Sequence, residues 1–374
     1  SPFPEILGRI CPQDVLCEGA CSLNTGHGAI SIGAIETHIS ETAFAKGLKP
    51  KFTDKKVDKK VAVVGSGPSG ISAATFLLRK GYEVEMFERE DRAGGLLMYG
   101  IPGFKLDKTT VDRRMNWLID AGMKLHLNCE VGKDVSVKDL EENFDAIYLG
   151  TGAKDGRYTG MDGEKDASNV HLAMDFLTGI QKRNLGTKVD FIDVKDKNVV
   201  VIGGGDTAMD CVRTSVREKA KSVKCLYRRD EVNMPGSKKE VVNAKEEGVE
   251  YVFNVSPKSL KITGDKVTAI ELLTTSMSDP DESGRQRVVI NEGTEYFEEA
   301  DVVILALGFS PEKPQFLKEL NVETNSWGGV ETTNYQTSNE KVYAGGDCQR
   351  GAHLAVTAAL DGREAAKAIV EKLS

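Results

Sequence analysis

No two cysteines in this chain are spaced C-x-x-C, which excludes the vicinal dithiol on which disulfide-exchange enzymes run. The five histidines show no metal-binding spacing. Basic residues are in deficit, 49 Lys and Arg against 57 Asp and Glu, and a net charge of -8 gives no electrostatic footprint for nucleic acid. Long hydrophobic runs are missing too. The stretch Val302-Val303-Ile304-Leu305-Ala306-Leu307 is strand length and far short of a membrane span. No basic segment followed by an apolar core opens the chain, so no secretory signal is expected. There is no low-complexity tract. Three of the seven cysteines (Cys11, Cys17 and Cys21) crowd the start, while Cys129, Cys211, Cys225 and Cys348 are scattered as buried structural thiols are. A reducing, cytoplasmic setting is the expectation.

What the chain does have is glycine, in two fingerprints. Gly65-Ser66-Gly67-Pro68-Ser69-Gly70 follows the apolar run Val61-Ala62-Val63-Val64. Gly203-Gly204-Gly205-Asp206-Thr207-Ala208 follows Val199-Val200-Val201-Ile202. Each precedes a helical pattern, and G-x-G-x-x-G/A between strand and helix reads as a dinucleotide pyrophosphate site. The glycines allow a tight turn and close backbone approach, and the helix N-terminus offers unpaired N–H groups to the phosphates. Two such loops imply two nucleotides, an arrangement suited to passing electrons between them.

The residue ending the second strand of each unit separates ribose from 2′-phosphoribose. After the first loop it is Glu88, in Met86-Phe87-Glu88-Arg89. A carboxylate there accepts from ribose hydroxyls and repels a 2′-phosphate, which fits FAD or NAD. After the second loop, Val223-Lys224-Cys225-Leu226-Tyr227 ends in Arg228-Arg229, two guanidinium groups able to grip the 2′-phosphate of NADPH. The alternative for that pair is an exposed basic turn. Near the C-terminus, Val342-Tyr343-Ala344 leads into Gly345-Gly346-Asp347 and a helix expected over about Leu354–Lys372. Asp347 can hold a ribityl hydroxyl of FAD while that helix directs its N-terminus at the flavin; otherwise Asp347 is a simple helix N-cap. The candidate contacts on the first nucleotide are thus Gly65, Gly67, Ser69, Gly70, Glu88, Arg89, Gly95, Leu96, Gly152, Gly346 and Asp347. On the second they are Gly203, Gly205, Asp206, Thr207, Ala208, Arg228 and Arg229. No catalytic acid or base stands out, as expected where positioning alone serves hydride transfer.

The expected fold is α/β, with two Rossmann-like nucleotide-binding domains, the second inserted into the first. The first, FAD-binding, takes residues 55–156 and 309–374. The NADPH-binding domain takes 157–308, and its strand-rich part runs from Glu250 to Val289. Residues 1–50 form a cysteine-bearing leader with a helix over Gly33–Lys46. Residues 51–60 read as a charged, solvated linker. Loops are expected at Gly94-Gly95-Leu96-Leu97 and Pro102-Gly103.

Taken as a set, these residues resemble a known family. Its marks are Cys11-Pro12-Gln13-Asp14-Val15-Leu16-Cys17-Glu18-Gly19-Ala20-Cys21 ahead of Ile32-Gly33-Ala34-Ile35-Glu36, then both fingerprints. Gly94-Gly95-Leu96-Leu97-Met98-Tyr99-Gly100-Ile101-Pro102, Tyr227-Arg228-Arg229 with Asn233-Met234-Pro235-Gly236, and Ala344-Gly345-Gly346-Asp347-Cys348 complete them. Together they look like the small (beta) subunit of NADPH-dependent glutamate synthase, and the module is similar to the N-terminal part of dihydropyrimidine dehydrogenase. The resemblance implies electron input from NADPH to FAD and onward through [4Fe–4S] clusters to a large (alpha) subunit that forms L-glutamate from 2-oxoglutarate and glutamine. It also implies that Cys11, Cys17 and the non-cysteine ligand Glu36 serve one cluster, and that Cys21 serves the other. The family places further cluster cysteines upstream. The chain opens on Ser1 and lacks them, so the expectation is a truncated iron–sulfur region without intact clusters. Competing readings are a thioredoxin-reductase-like enzyme, disfavoured by the missing C-x-x-C; a related module serving a ferredoxin or sulfide acceptor; and a flavoprotein scaffold without turnover.

Overall fold

The computed structural model describes residues 1–282 and 286–374, which divide into two compact units, Ser1–Asp155 with Phe309–Ser374, and Gly156–Gly308. Each unit contains one glycine fingerprint.

The chain enters the first unit through helices α1 (Pro4–Ile10) and α2 (Ile32–Ala45). A β-α-β unit follows, made of β1 (Lys60–Val64), α3 (Pro68–Arg79) and β2 (Glu83–Phe87). Then come α4 (Leu96–Tyr99), α5 (Lys108–Asp120), β3 (Lys124–His126), α6 (Val137–Asn143), β4 (Ala146–Leu149) and the two-residue strand β5 (Asp155–Gly156). Strand β1 is buried at four successive positions, Val61 to Val64. A strand covered on both faces needs such an unbroken apolar run, and parallel strands are covered that way.

Within the second unit run β6 (Val170–Leu172), α7 (Ala173–Asn184), β7 (Asn198–Ile202), α8 (Asp206–Arg217), β8 (Ser222–Tyr227), α9 (Lys238–Glu246) and β9 (Glu250–Phe253). The strands β10 (Val255–Thr263), β11 (Lys266–Met277), β12 (Val288–Ile290), β13 (Tyr296–Glu299) and β14 (Val302–Leu305) complete it. Five of these strands form a parallel sheet in the order β6-β14-β7-β8-β9. Alternation along β7 splits its valines between two cores. Val199 and Val201 meet Phe176, Leu177, Met209 and Val212 of the helices. Val200 and Ile202 meet Val267, Ile270 and Leu272 of an antiparallel sheet built from β10, β11, β12 and β13. The expected strand-rich stretch is β9 to β12, and its residues 283–285 lie outside the described residues.

Back in the first unit, the chain adds β15 (Phe309–Ser310), α10 (Phe316–Glu319), β16 (Val342–Ala344), α11 (Asp347–Arg350) and α12 (Ala355–Leu373). Strand β16 completes a parallel sheet ordered β16-β4-β1-β2-β3. In both sheets the fingerprint strand is central, so both glycine loops leave a sheet's carboxyl edge.

Two local expectations change. Leu96 to Tyr99 form a helical turn and not an open loop, because Gly95 at φ 54° turns the chain and lets Leu97, Met98 and Tyr99 bury together. Residues 51–60 are not simply solvated. The Phe52 ring lies 4.6 Å from that of Trp117, and the Val57 N–H donates to the Gly81 carbonyl. One aromatic ring within a charged stretch is enough to dock it.

Candidate functional site

The first glycine loop is shaped by what its glycines exclude. Gly65 has φ 97°, and a Cβ there would lie 2.5 Å from the Gly150 carbonyl oxygen. A Cβ on Gly70 would lie 2.0 Å from the Gly65 carbonyl oxygen, so α3 can close on β1 only with glycine at that position. Gly67 differs, because a Cβ there meets nothing within 4 Å. Its backbone faces open space, where a phosphate could approach. Gly152, at φ 77°, faces open space in the same way. Gly95 packs on Gly67, an added Cβ lying 2.9 Å from the Gly67 Cα, while Leu96 begins α4 and is half-buried.

Glu88 follows β2 beside this loop with 5% of its surface exposed. Its carboxylate accepts from the Ser66 N–H at 3.1 Å, the Ser66 Oγ at 2.5 Å and the Glu90 N–H at 2.9 Å. Ser66 Oγ in turn accepts from the Gly94 N–H at 2.9 Å. The carboxylate is therefore fixed before any ligand arrives. Arg89 is engaged elsewhere: its Nη2 donates to Glu312 at 2.7 Å.

The Gly345-Gly346-Asp347 turn lies across the top of α3. Gly346 has φ 77°, and a Cβ there would sit 2.8 Å from the Ser69 Cβ. Ser69 Oγ is hydrogen-bonded to the Tyr148 hydroxyl, both groups being buried. Asp347 is the first residue of α11 and does not cap α12. Its Oδ1 is buried without a partner, and burial pushes its pKa up to about 7, with Asp361 adding to the shift and the His353 backbone opposing it.

The second loop repeats the first with one change. Gly203 has φ 148°, and a Cβ on it would lie 2.3 Å from the Ala306 carbonyl oxygen, while Gly205 faces open space. The third fingerprint position is Ala208, fully buried, where the first loop has Gly70. Asp206 opens α8, and its Oδ1 accepts from the Ser237 N–H at 2.9 Å. Half-buried Thr207 follows it. Arg228 and Arg229 follow β8 directly. Arg228 is exposed, Arg229 half-buried, and the Nε of Arg229 is buried without a partner.

Helices α3, α8 and α12 begin after Gly67, Gly205 and Leu354, and none has a side-chain cap. The same holds for α1, α2, α4, α7, α9, α10 and α11; among the described residues only α5, capped by Asp107, and α6, with a Ser136–Asp139 capping box, have one. The uncapped N–H groups are those that an anion would satisfy.

In the N-terminal segment, Cys11, Cys17 and Glu36 line one cavity of about 290 Å³ with Gln13, Gly33, and Val356, Leu360 and Arg363 of α12. Burial raises the Cys11 pKa, and the nearby charges of Cys17 and Glu36 add to it. Cys21 is not part of that wall. Its pKa is lowered by backbone N–H groups of Ile30 and Leu23. Among the described residues, no group of three His, Cys, Asp or Glu side chains is arranged to hold a metal ion as it stands. The segment is anchored by Glu5, whose carboxylate meets Arg114 at 2.6 Å with both groups buried, and by Glu41, which accepts from Arg113 and Arg9.

Sequence reasoning missed the Asp206–Ser237 tie, the Arg89–Glu312 pair, and a bidentate Arg350–Asp361 pair behind the Asp347 turn. Each includes at least one partner that carries no motif of its own, Ser237, Glu312 and Asp361 in turn.

Residues 59–362 match the pyridine nucleotide-disulphide oxidoreductase family, and residues 1–48 match dihydropyrimidine dehydrogenase domain II, 4Fe-4S cluster. The chain is 47% identical to a putative oxidoreductase, AegA, of Escherichia coli, over 99% of its own length and 58% of that protein. It is 46% identical to the glutamate synthase [NADPH] small chain of the same organism, over 99% of its length and 81% of that protein. It thus spans little more than half of the one relative and about four-fifths of the other. Among solved structures, FprA of Mycobacterium tuberculosis in complex with NADPH superposes with a TM-score of 0.72 over 84% of each chain, at 17% identity, a likeness of fold. No helix among the described residues is long and apolar enough to cross a membrane.

The chain belongs to the glutamate synthase small-chain family, built on a pyridine nucleotide-disulphide oxidoreductase core.

Proposed function

We propose that this family member is an FAD-dependent NADPH oxidoreductase, an electron-input subunit that takes hydride from NADPH and delivers electrons to a glutamate synthase large subunit making L-glutamate from 2-oxoglutarate and glutamine. The carrying observation is the pair of strand–glycine loop–helix turns with different charge after the second strand: a fixed carboxylate at Glu88 and two arginines at 228 and 229.

The residues present fit both nucleotides. The loop Gly65, Gly67, Ser69 and Gly70, open at Gly67, would take the FAD pyrophosphate, and Glu88 the adenosine ribose, with Arg89, Gly95, Leu96 and Gly152 around it. Asp347 has an orphaned oxygen for a ribityl hydroxyl, next to Gly346. The uncapped end of α12 would favour negative charge on the flavin ring, a contribution of about 0.3–1 kcal/mol. Gly203, Gly205, Asp206, Thr207 and Ala208 would cradle the NADPH pyrophosphate, with the 2′-phosphate between Arg228 and Arg229. Flavin, when bound, supplies acceptance of a hydride and release of single electrons. The protein's share is to bind, orient and exclude water, which is why no acid–base pair is required.

Cys11, Cys17 and Glu36 would serve one [4Fe–4S] cluster at the cavity they line, and Cys21, with its backbone N–H donors, would serve a second. Iron and sulfide assays test this. Replacing Cys11, Cys17 and Glu36 together should lower the bound iron by one cluster's share and support it; an unchanged iron content in that variant overturns it.

A second reading rests on the near-equal identity to AegA and to the small chain. The same module can serve a different acceptor. Mixing with a glutamate synthase large chain separates the two, because NADPH-dependent glutamate formation supports the first reading and flavin reduction without it supports the second. The primary test is anaerobic mixing with NADPH. Bleaching of the flavin absorbance is the expected result, and an oxidised spectrum at saturating NADPH would refute the oxidoreductase.

A further inference from the structure

We propose that Asp361 and Arg350 are positioning residues for the flavin end of the nucleotide site, a proposal that rests on the FAD reading above. Asp361 lies on the second turn of α12 and is fully buried. Its Oδ2 accepts from the Gly346 N–H at 3.1 Å and from Arg350 Nε at 2.7 Å. Its Oδ1 accepts from Arg350 Nη2 at 2.5 Å and from the Tyr335 hydroxyl at 3.3 Å. One carboxylate therefore ties together a helix, the turn before Asp347 and the last residue of α11.

Helix packing alone does not call for this arrangement. Small residues already seat α12 on α3. A Cβ on Gly362 would lie 2.0 Å from the Ser69 carbonyl oxygen, and Ala358, Ala359, Ala365 and Ala366 are buried alongside it. A buried carboxylate in such a contact is costly unless it is paired, and Arg350 supplies the pair. What the pair does add is control of the turn. Gly346 needs φ 77°, a conformation in which its N–H could face either solvent or protein, and Asp361 draws it inward. The next residue, Asp347, is then left with Oδ1 unpartnered. At the other end of α11, the guanidinium fork on Asp361 fixes where the chain leaves toward the uncapped start of α12. The two groups assigned to the flavin, the Asp347 carboxyl and the α12 N-terminus, are thus held by the same buried carboxylate. The other ionic groups of this stretch of α12, Arg363, Glu364 and Lys367, pair with each other.

The test uses the whole chain with Asp361→Asn, Arg350→Gln and Arg350→Lys, and Glu364→Gln as a control on the same helix. FAD dissociation constants, the flavin midpoint potential, and the NADPH KM and kcat of flavin reduction are measured. Asp361→Asn and Arg350→Gln should weaken FAD binding about tenfold or more, the effect of losing a charge-assisted hydrogen bond. They should also shift the midpoint potential and leave the KM for NADPH unchanged, because Arg228 and Arg229 lie in the other unit. Glu364→Gln should match the parent chain. If Asp361→Asn does not fold, Arg350→Lys decides, since lysine keeps the charge and loses the fork. FAD binding and midpoint potential equal to the parent in the folded arginine variants would overturn the proposal. A parent chain that takes up no FAD would overturn the FAD reading on which it rests, an outcome visible before any variant is made.

Discussion

Arg229→Ala should cost this protein most of its preference for NADPH over NADH, and Arg228→Ala should cost it far less. The two arginines are adjacent, but their surroundings differ. Arg228 is exposed, and an exposed ion pair contributes about 0.2–1 kcal/mol, a factor of roughly 1.4 to 5. Arg229 is half-buried with an unpartnered, buried Nε. A charge-assisted hydrogen bond made there is worth about 1.5–3 kcal/mol, roughly 10- to 150-fold. The backbone of both residues is pinned, Arg228 O accepting from Thr275 Oγ1 and Arg229 O from the Asn254 N–H. Neither substitution should therefore move β8. The assay is anaerobic stopped-flow reduction of the flavin, with kcat/KM measured for NADPH and NADH in each variant. In Arg229→Ala the NADPH value should fall by that larger factor and the NADH value should hold within about twofold, since NADH lacks the phosphate these bonds recognise. Raising ionic strength should erode the Arg228 contribution first, because the exposed charge is screened. Equal losses for the two nucleotides would refute the assignment of the 2′-phosphate. A larger loss in Arg228→Ala than in Arg229→Ala would refute the argument from burial.

Three further outcomes rest on buried or perturbed groups elsewhere in the first unit. Arg114→Ala strands the Glu5 carboxylate, 1% exposed, without its partner; urea unfolding should show about 3–5 kcal/mol of destabilisation, and less than about 1 kcal/mol would mean the pair is not buried as described. Glu41 has its pKa lowered from 4.5 to about 2, chiefly by Arg113 and then by Arg9. A folded-state pKa below the unfolded one means that its stabilisation is complete above pH 4.5 and is lost as the pH falls toward 2. Peptic cleavage between residues 46 and 59 should therefore rise across that window, and Glu41→Gln should abolish the dependence; a flat profile in the parent chain would count against the anchor. Among the thiols, Cys21 should alkylate before Cys11 and Cys129, because backbone N–H groups lower its pKa while burial raises theirs. Mass spectrometry after brief iodoacetamide treatment checks the order, and Cys11 reacting first would contradict it.

The glycine loops were legible because several of their glycines answer a local backbone demand: a positive φ at Gly65 and Gly203, and at Gly70 a packing in which a Cβ would lie 2.0 Å from the Gly65 carbonyl oxygen. The residues at 88 and at 228–229 were legible because strand length and fingerprint spacing together fix which residue ends the second strand. Arg89 was placed at the first nucleotide by its position after Glu88, but its pairing with Glu312, 223 positions away, was not legible. The short helix at Leu96–Tyr99 was read as a loop because Gly94 and Gly95 signal a break in the chain but carry no sign of the helical turn beyond it. Phe52 was hidden in a charged stretch, where composition outweighed the one ring that docks on Trp117.

By itself the sequence determined that two nucleotide folds lie in series and that opposite charges attend them, because strand, turn and helix propensities act over a few residues and glycine takes a positive φ at the least cost. The tertiary structure decided the rest. It brought Cys11, Cys17 and Glu36 to one cavity and placed Asp361 behind the Asp347 turn. It also separated the exposed Arg228 from the half-buried Arg229. These depend on where distant segments meet and how much water remains there, and burial sets both the strength of a charge and the cost of leaving it unpaired.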